Sequence, residues 1–159
     1  MPNYAVWDDK AASSLIDEHR AKPGALLPIL HALQERFGYV DGGIVPTLAK
    51  ALNLSRAEVH GVISFYHDFR DSPPGRHVVR LCRAEACQSM GNEQLITHAK
   101  QRLGVDFHET THDGRFTLEA VYCLGNCACA PALTIDDKVY GRVDAARLDQ
   151  LLDQAGKRP

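Results

Sequence analysis

The sequence predicts an α/β protein in two parts. Residues 1–72 form an N-terminal helical bundle segment, and residues 73–159 form a small mixed-sheet domain with the order β-α-β-β-β-α. Three observations predict it. Apolar residues recur at helical spacing from Asp8 to Arg70. The run Arg70-Asp71-Ser72-Pro73-Pro74-Gly75-Arg76 then breaks the pattern, because two prolines and a glycine cannot continue a helix. Beyond it, short β-branched and alternating runs take over.

In the first part, Leu26, Leu30, Leu33 and Phe37 share one helical face, and Gly38 stands where that helix stops. Ile44, Leu48 and Leu52 mark a second short helix. Ser55-Arg56-Ala57-Glu58 is a capping box, in which the hydroxyl accepts from the N3 amide while the carboxylate reaches back. Val59, Val62, Ile63 and Tyr66 follow as one face, with Phe65 and Phe69 beside it. Helices this short are not stable alone and must pack together. The stretch from Leu48 to Val59 also has the outline of a helix-turn-helix. Its second helix would offer Arg56, His60 and His67 next to Glu58 and Asp68, too little positive charge to hold phosphates. A tight helical corner is the better reading, and no nucleic-acid partner is expected.

In the second part, His77-Val78-Val79-Arg80-Leu81 is a strand that delivers Cys82. Gly91 opens a helix with Leu95, Ile96, Ala99 and Leu103 inward, ending at Gly104. Phe116, Leu118, Ala120 and Tyr122 alternate with Thr117, Glu119 and Val121 in a strand that delivers Cys123. Ala132 to Ile135 and Lys138 to Tyr140 flank Asp136-Asp137 as a hairpin. Asp144 caps a last helix with Leu148, Leu151, Leu152 and Ala155 inward.

The totals narrow the function. The chain has 159 residues, 45% hydrophobic and 24% charged, as in a soluble globular protein. A net charge of −2 gives no reason to expect nucleic acid or an anionic membrane. No apolar run approaches the ~20 residues that span a bilayer, so no direct membrane contact is expected. The first residues show no basic segment followed by an apolar core, so no secretory signal is read there. Five cysteines, four of them in close pairs, favour metal binding in a reducing compartment, with the cytoplasm expected.

Those pairs carry the chemistry. Cys82-x4-Cys87 and Cys123-x3-Cys127 put four thiolates in two short loops, each directly after a predicted strand. Each pair closes too tight a loop for a comfortable disulfide but suits two ligands on one metal ion. We read Cys82, Cys87, Cys123 and Cys127 as ligands of a [2Fe-2S] cluster, two per iron. The same thiolates could hold structural zinc, although zinc sites usually show shorter Cys-x2-Cys spacing, and redox disulfides are a third option. A cluster bearing net negative charge needs donors, expected from backbone amides around Gly125 and near Gly91, with Arg83 as a local cation or a solvated surface residue. Four thiolates without histidine set the potential nearer ~−400 mV than Rieske values. Cys129 is left over, as a buried small hydrophobe or a substitute ligand. The scattered histidines, His31, His60 and His67 included, read as surface or packing residues. No Gly-x-Gly-x-x-Gly run, Walker sequence or triad appears, so no catalytic residue is assigned and the chain is expected to be a non-catalytic subunit of an oxidoreductase.

Both cysteine pairs, with Phe37-Gly38-Tyr39-Val40, Ser64-Phe65-Tyr66 and Ala130-Pro131, resemble a known family from about Pro23 to Leu152. This is the thioredoxin-like [2Fe-2S] subunit of NADH:quinone oxidoreductase, with relatives in bidirectional hydrogenases and NAD-dependent formate dehydrogenases. Within it, His31-Ala32-Leu33-Gln34-Glu35, Cys82-Arg83-Ala84-Glu85-Ala86-Cys87 and Val121-Tyr122-Cys123-Leu124-Gly125 most resemble the gamma subunit of soluble, molybdenum-containing formate dehydrogenase. The resemblance implies a thioredoxin-like [2Fe-2S] ferredoxin domain with Cys82, Cys87, Cys123 and Cys127 as ligands. It further implies docking on a flavoprotein subunit that holds FMN, NAD and another iron-sulfur centre, with the exposed faces around Phe65 and Tyr66 at the contact. Formate would be oxidised at a molybdenum cofactor on a third, large subunit.

Overall fold

The computed structural model describes residues 4–157. The chain divides between Pro73 and Pro74 into two compact units.

The first unit is helical. Helix α1 (Asp9–His19) starts where the Asp8 carboxylate accepts the Ala11 amide at 2.7 Å, satisfying one of the amides a helix start leaves unpaired. Helix α2 (Leu26–Phe37) ends because Gly38, at φ 84°, turns left-handed and returns its N–H to the Gln34 carbonyl at 2.7 Å. A 3-10 turn (Gly42–Ile44) leads into α3 (Val45–Leu52), and α4 (Arg56–Phe65) begins with the expected capping box: Ser55 Oγ accepts from the Glu58 amide and the Glu58 carboxylate accepts from the Ser55 amide. Ile16, Ile29, Leu30, Leu33, Phe37, Val40, Ile44, Leu48 and Val59 fill the core. Ile29 takes the inner place expected of Leu26, which is only half-buried. On α4 only Val59 is buried; Val62 and Ile63 are half-buried, and Phe65 is 73% exposed. Gln34 pins the end of this unit: its amide donates to the Asp68 carbonyl (2.7 Å) and its carbonyl accepts from the Arg70 amide (2.8 Å).

The second unit is a five-stranded sheet of order β2-β3-β1-β4-β5. Strand β1 (His77–Cys82) lies at its centre, parallel to β3 (Phe116–Val121) and antiparallel to β4 (Ala132–Ile135). Strand β5 (Lys138–Gly141) forms the hairpin with β4, its turn eased by Asp136 at φ 56°. Two elements join the expected order: a short helix α5 (Glu85–Ser89) that carries Cys87, and a two-residue strand β2 (Glu109–Thr110) on the edge. Helices α6 (Asn92–Leu103) and α7 (Ala145–Gly156) cover one face, packing Leu95, Ile96, Ala99, Leu148, Leu151, Leu152 and Ala155 on Val79, Leu81, Phe116, Leu118, Leu133 and Ile135. Leu103 packs at the margin of this core.

Candidate metal centre

Parallel neighbours end at the same edge of a sheet, and that decides where the thiols meet. Cys82 is the last residue of β1 and pairs with Val121, the last residue of β3. The Arg83 amide donates to the Val121 carbonyl at 2.7 Å, which carries the pairing one residue further. Both cysteine loops leave from there.

The first loop turns at once into α5, which brings Cys87 back beside Cys82. The Cys87 amide donates to the Ala84 carbonyl at 3.0 Å. Asn92, fully buried at the start of α6, holds the loop from behind, its amide donating to the Cys82 carbonyl at 2.5 Å. Both residues are 2% exposed, in a cluster of small side chains that includes Ala84, Ala86, Ala130 and Ala132.

The second loop lies open. Cys123 has φ 136°, a conformation rare outside glycine, and Gly125 follows at φ 71°. This sharp turn aims the Gly125 amide at Cys123 Sγ, 3.3 Å away. A 3-10 turn (Cys127–Cys129) then sets Cys127 Sγ 3.7 Å from Cys123 Sγ, with both residues exposed. All five cysteines are free thiols.

The two pairs sense each other. Burial pushes the Cys87 thiol up; the Ala132 amide, donating to its sulfur, opposes that, and the Cys82 and Cys127 thiols push it higher still. Cys127 is raised chiefly by its hydrogen bond with Cys123 and by that thiol's charge, then by burial and by Cys82. Across the two loops, Cys127 therefore disfavours ionisation of Cys87, and Cys82 that of Cys127, until a cation arrives. Among the described residues, no group of three or more His, Cys, Asp or Glu side chains is arranged to hold one metal ion.

The donors differ in part from expectation. Gly125 supplies an amide to sulfur, and further amides come from Ala132, at the start of β4, and from Cys127 itself, where Gly91 was expected. Spacing carries no signal for Ala132, because only the sheet brings β4 beside β1. Arg83 places its guanidinium 5.3 Å from the centre of the Phe107 ring, and the shifts of Cys87 and Cys127 arise from burial, hydrogen bonds and thiols. Cys129 is half-buried, with its carbonyl accepting from the Arg142 amide at 2.6 Å.

Two thiol pairs gathered at one sheet edge, with main-chain amides turned toward sulfur, suit an iron-sulfur centre, as in proteins of the ferredoxin class. More particularly, the chain belongs to the thioredoxin-like [2Fe-2S] ferredoxin family, whose model matches residues 12–156. It is 38% identical over 144 residues to an NADH-quinone oxidoreductase subunit of Rhizobium meliloti (strain 1021), covering 91% of this chain and 84% of that one. It is 34% identical over 155 residues to NADP-reducing hydrogenase subunit HndA of Solidesulfovibrio fructosivorans, covering 96% and 91%. Among solved structures, a chain of the NAD+-reducing [NiFe]-hydrogenase in the H2-reduced state superposes with a TM-score of 0.68 at 27% identity. That match covers 84% of this chain and only 22% of the hydrogenase chain. The cofactor is thus a [2Fe-2S] cluster, which decides against the zinc alternative. Among the described residues, no helix is long and apolar enough to cross a membrane.

Proposed function

We propose that Cys82, Cys87, Cys123 and Cys127 hold the [2Fe-2S] cluster, two on each iron, and that the chain is the electron-transfer subunit of an NAD-linked oxidoreductase complex. The observation that supports this most directly is that both cysteine loops leave one sheet edge together, close enough for Cys127 to act on Cys87 and Cys82 on Cys127. When bound, such a cluster takes up and returns one electron at a time. The chain's own residues do the rest: Cys82 and Cys87 hold the buried side, Cys123 and Cys127 the side open to a partner, and the Gly125 and Ala132 amides offset negative charge on sulfur. Protein purified anaerobically will be red-brown with about two irons and two sulfides per chain; a colourless protein carrying one zinc would overturn the reading.

The partner is a flavoprotein subunit holding FMN and NAD, in keeping with relatives named for NADH-quinone oxidoreductase and NADP-reducing hydrogenase. Our finer reading, a soluble cytoplasmic NAD-dependent formate dehydrogenase with a large molybdenum subunit, is supported by the wording of Cys82-Arg83-Ala84-Glu85-Ala86-Cys87 and Val121-Tyr122-Cys123-Leu124-Gly125. The names of those relatives favour a second reading, the equivalent subunit of respiratory NADH:quinone oxidoreductase or of an NAD-linked hydrogenase. Copurification from the native host separates them. A flavoprotein with a molybdenum subunit supports formate dehydrogenase; membrane-arm subunits, or a [NiFe] subunit, support the other.

A further inference from the structure

The open cysteine loop rests on strand β5, and one residue there leaves no room for a side chain. A Cβ at Gly141 would stand 2.6 Å from Cys129 Cβ, 2.7 Å from Asn126 Nδ2 and 2.8 Å from the Cys129 carbonyl oxygen. Asn126 swings away easily, but the two Cys129 atoms belong to the short turn that carries Cys127. Gly141 is not among the residues at positive φ, so its backbone would accept other amino acids and only the space forbids them. The neighbouring main chain secures the same contact: the Arg142 amide donates to the Cys129 carbonyl at 2.6 Å and the Val143 amide to the Pro131 carbonyl at 3.0 Å.

Gly141 also stands in register with the first cysteine pair. It pairs with Ala132 across the β4–β5 hairpin, and Ala132 is buried in one cluster with Cys82 and Cys87. One rung of the sheet therefore touches both loops: Ala132 lies in the cluster of the buried pair, and Gly141 sets how closely the turn of the open pair approaches. We infer that Gly141 is a positioning residue for the cluster, setting the separation of Cys127 from the Cys82–Cys87 side. This rests on the ligand assignment proposed above. A methyl group at 141 lifts the Cys127 turn off β5 and spoils the match between the two pairs, without removing any ligand.

The test uses the full chain, loaded with iron and sulfide, in four forms: wild type, Gly141→Ala, Gly61→Ala and Cys127→Ser. Gly61 has nothing within 4 Å of its would-be Cβ and serves as the control. In Gly141→Ala, the far-UV circular dichroism stays as in wild type. The visible absorbance decays about tenfold faster under EDTA, the scale of effect that overpacking one methyl produces. The g-values of the dithionite-reduced protein shift. Gly61→Ala changes none of these. Removing the opposing Cβ in the double variant Gly141→Ala with Cys129→Gly recovers part of the lifetime and moves the g-values back. Wild-type lifetime and g-values in Gly141→Ala would overturn the inference. So would a shortened lifetime with unchanged g-values, or no recovery in the double variant, since general loosening would give either. If Gly141→Ala does not fold, the double variant decides: folded and loaded supports the role, unfolded ends it. The ligand assignment fails separately, by an unchanged spectrum in Cys127→Ser.

Discussion

At the residue scale, the thiols differ in ways that substitution can read. Cys87→Ser and Cys123→Ser each abolish the visible absorbance of the loaded protein, while Cys129→Ser largely keeps it; loss of colour in Cys129→Ser alone would reassign the ligands. The raised thiols also give loading a pH dependence. Without metal, Cys87 and Cys127 hold their protons above the ordinary thiol range, and iron must displace those protons to bind. Raising the pH lowers that cost, so uptake of iron and sulfide by the apoprotein is more complete at about pH 8 than at about pH 6. The check is visible absorbance after reconstitution at each pH, and the opposite slope would contradict the assignment. The two close cysteine pairs are legible in the spacing, and the sheet shows that both leave from one edge; their role as ligands stays our proposal. The Ala132 donor is not legible there, since its position depends on β4 lying beside β1.

At the element scale, Gln34 ties α2 to the stretch that follows α4 through both ends of its side-chain amide. Gln34→Met keeps the volume but leaves the Asp68 carbonyl and Arg70 amide without this partner, a loss of about 1–3 kcal/mol. Denaturant unfolding of the full chain will show it as a lowered midpoint. The elements that sequence reasoning found have strong local causes: Gly38 ends α2, and Ser55 with Glu58 starts α4. Those it did not find in the second unit are short. The five residues of α5, which begin inside the Cys-x4-Cys spacing and run past Cys87, are too few to show a helical period, and the two residues of β2 are too few to show alternation. On α4 the expected apolar face ends early, with Val59 buried and Tyr66 exposed, because the chain leaves the helix at Phe65.

At the scale of the whole molecule, each compact unit has an apolar core of its own, one centred on α2 and the other between the sheet and helices α6 and α7. A unit with its own core can fold by itself. Residues 74–159 produced alone will take up iron and sulfide and show the absorbance of the full chain; a colourless fragment would show that the helical unit is needed for loading. The β1–β3 pairing has a last consequence, for how chains of this kind can change length. Adding one residue inside 77–82 or 116–121 shifts everything beyond it by about 3.3 Å and turns it to the opposite face. Such an insertion would carry one sulfur pair away from the other. An extra residue between α6 and β2 leaves the rungs of that ladder in step. Natural length variation should therefore gather in the connections, with both central strands keeping a constant count.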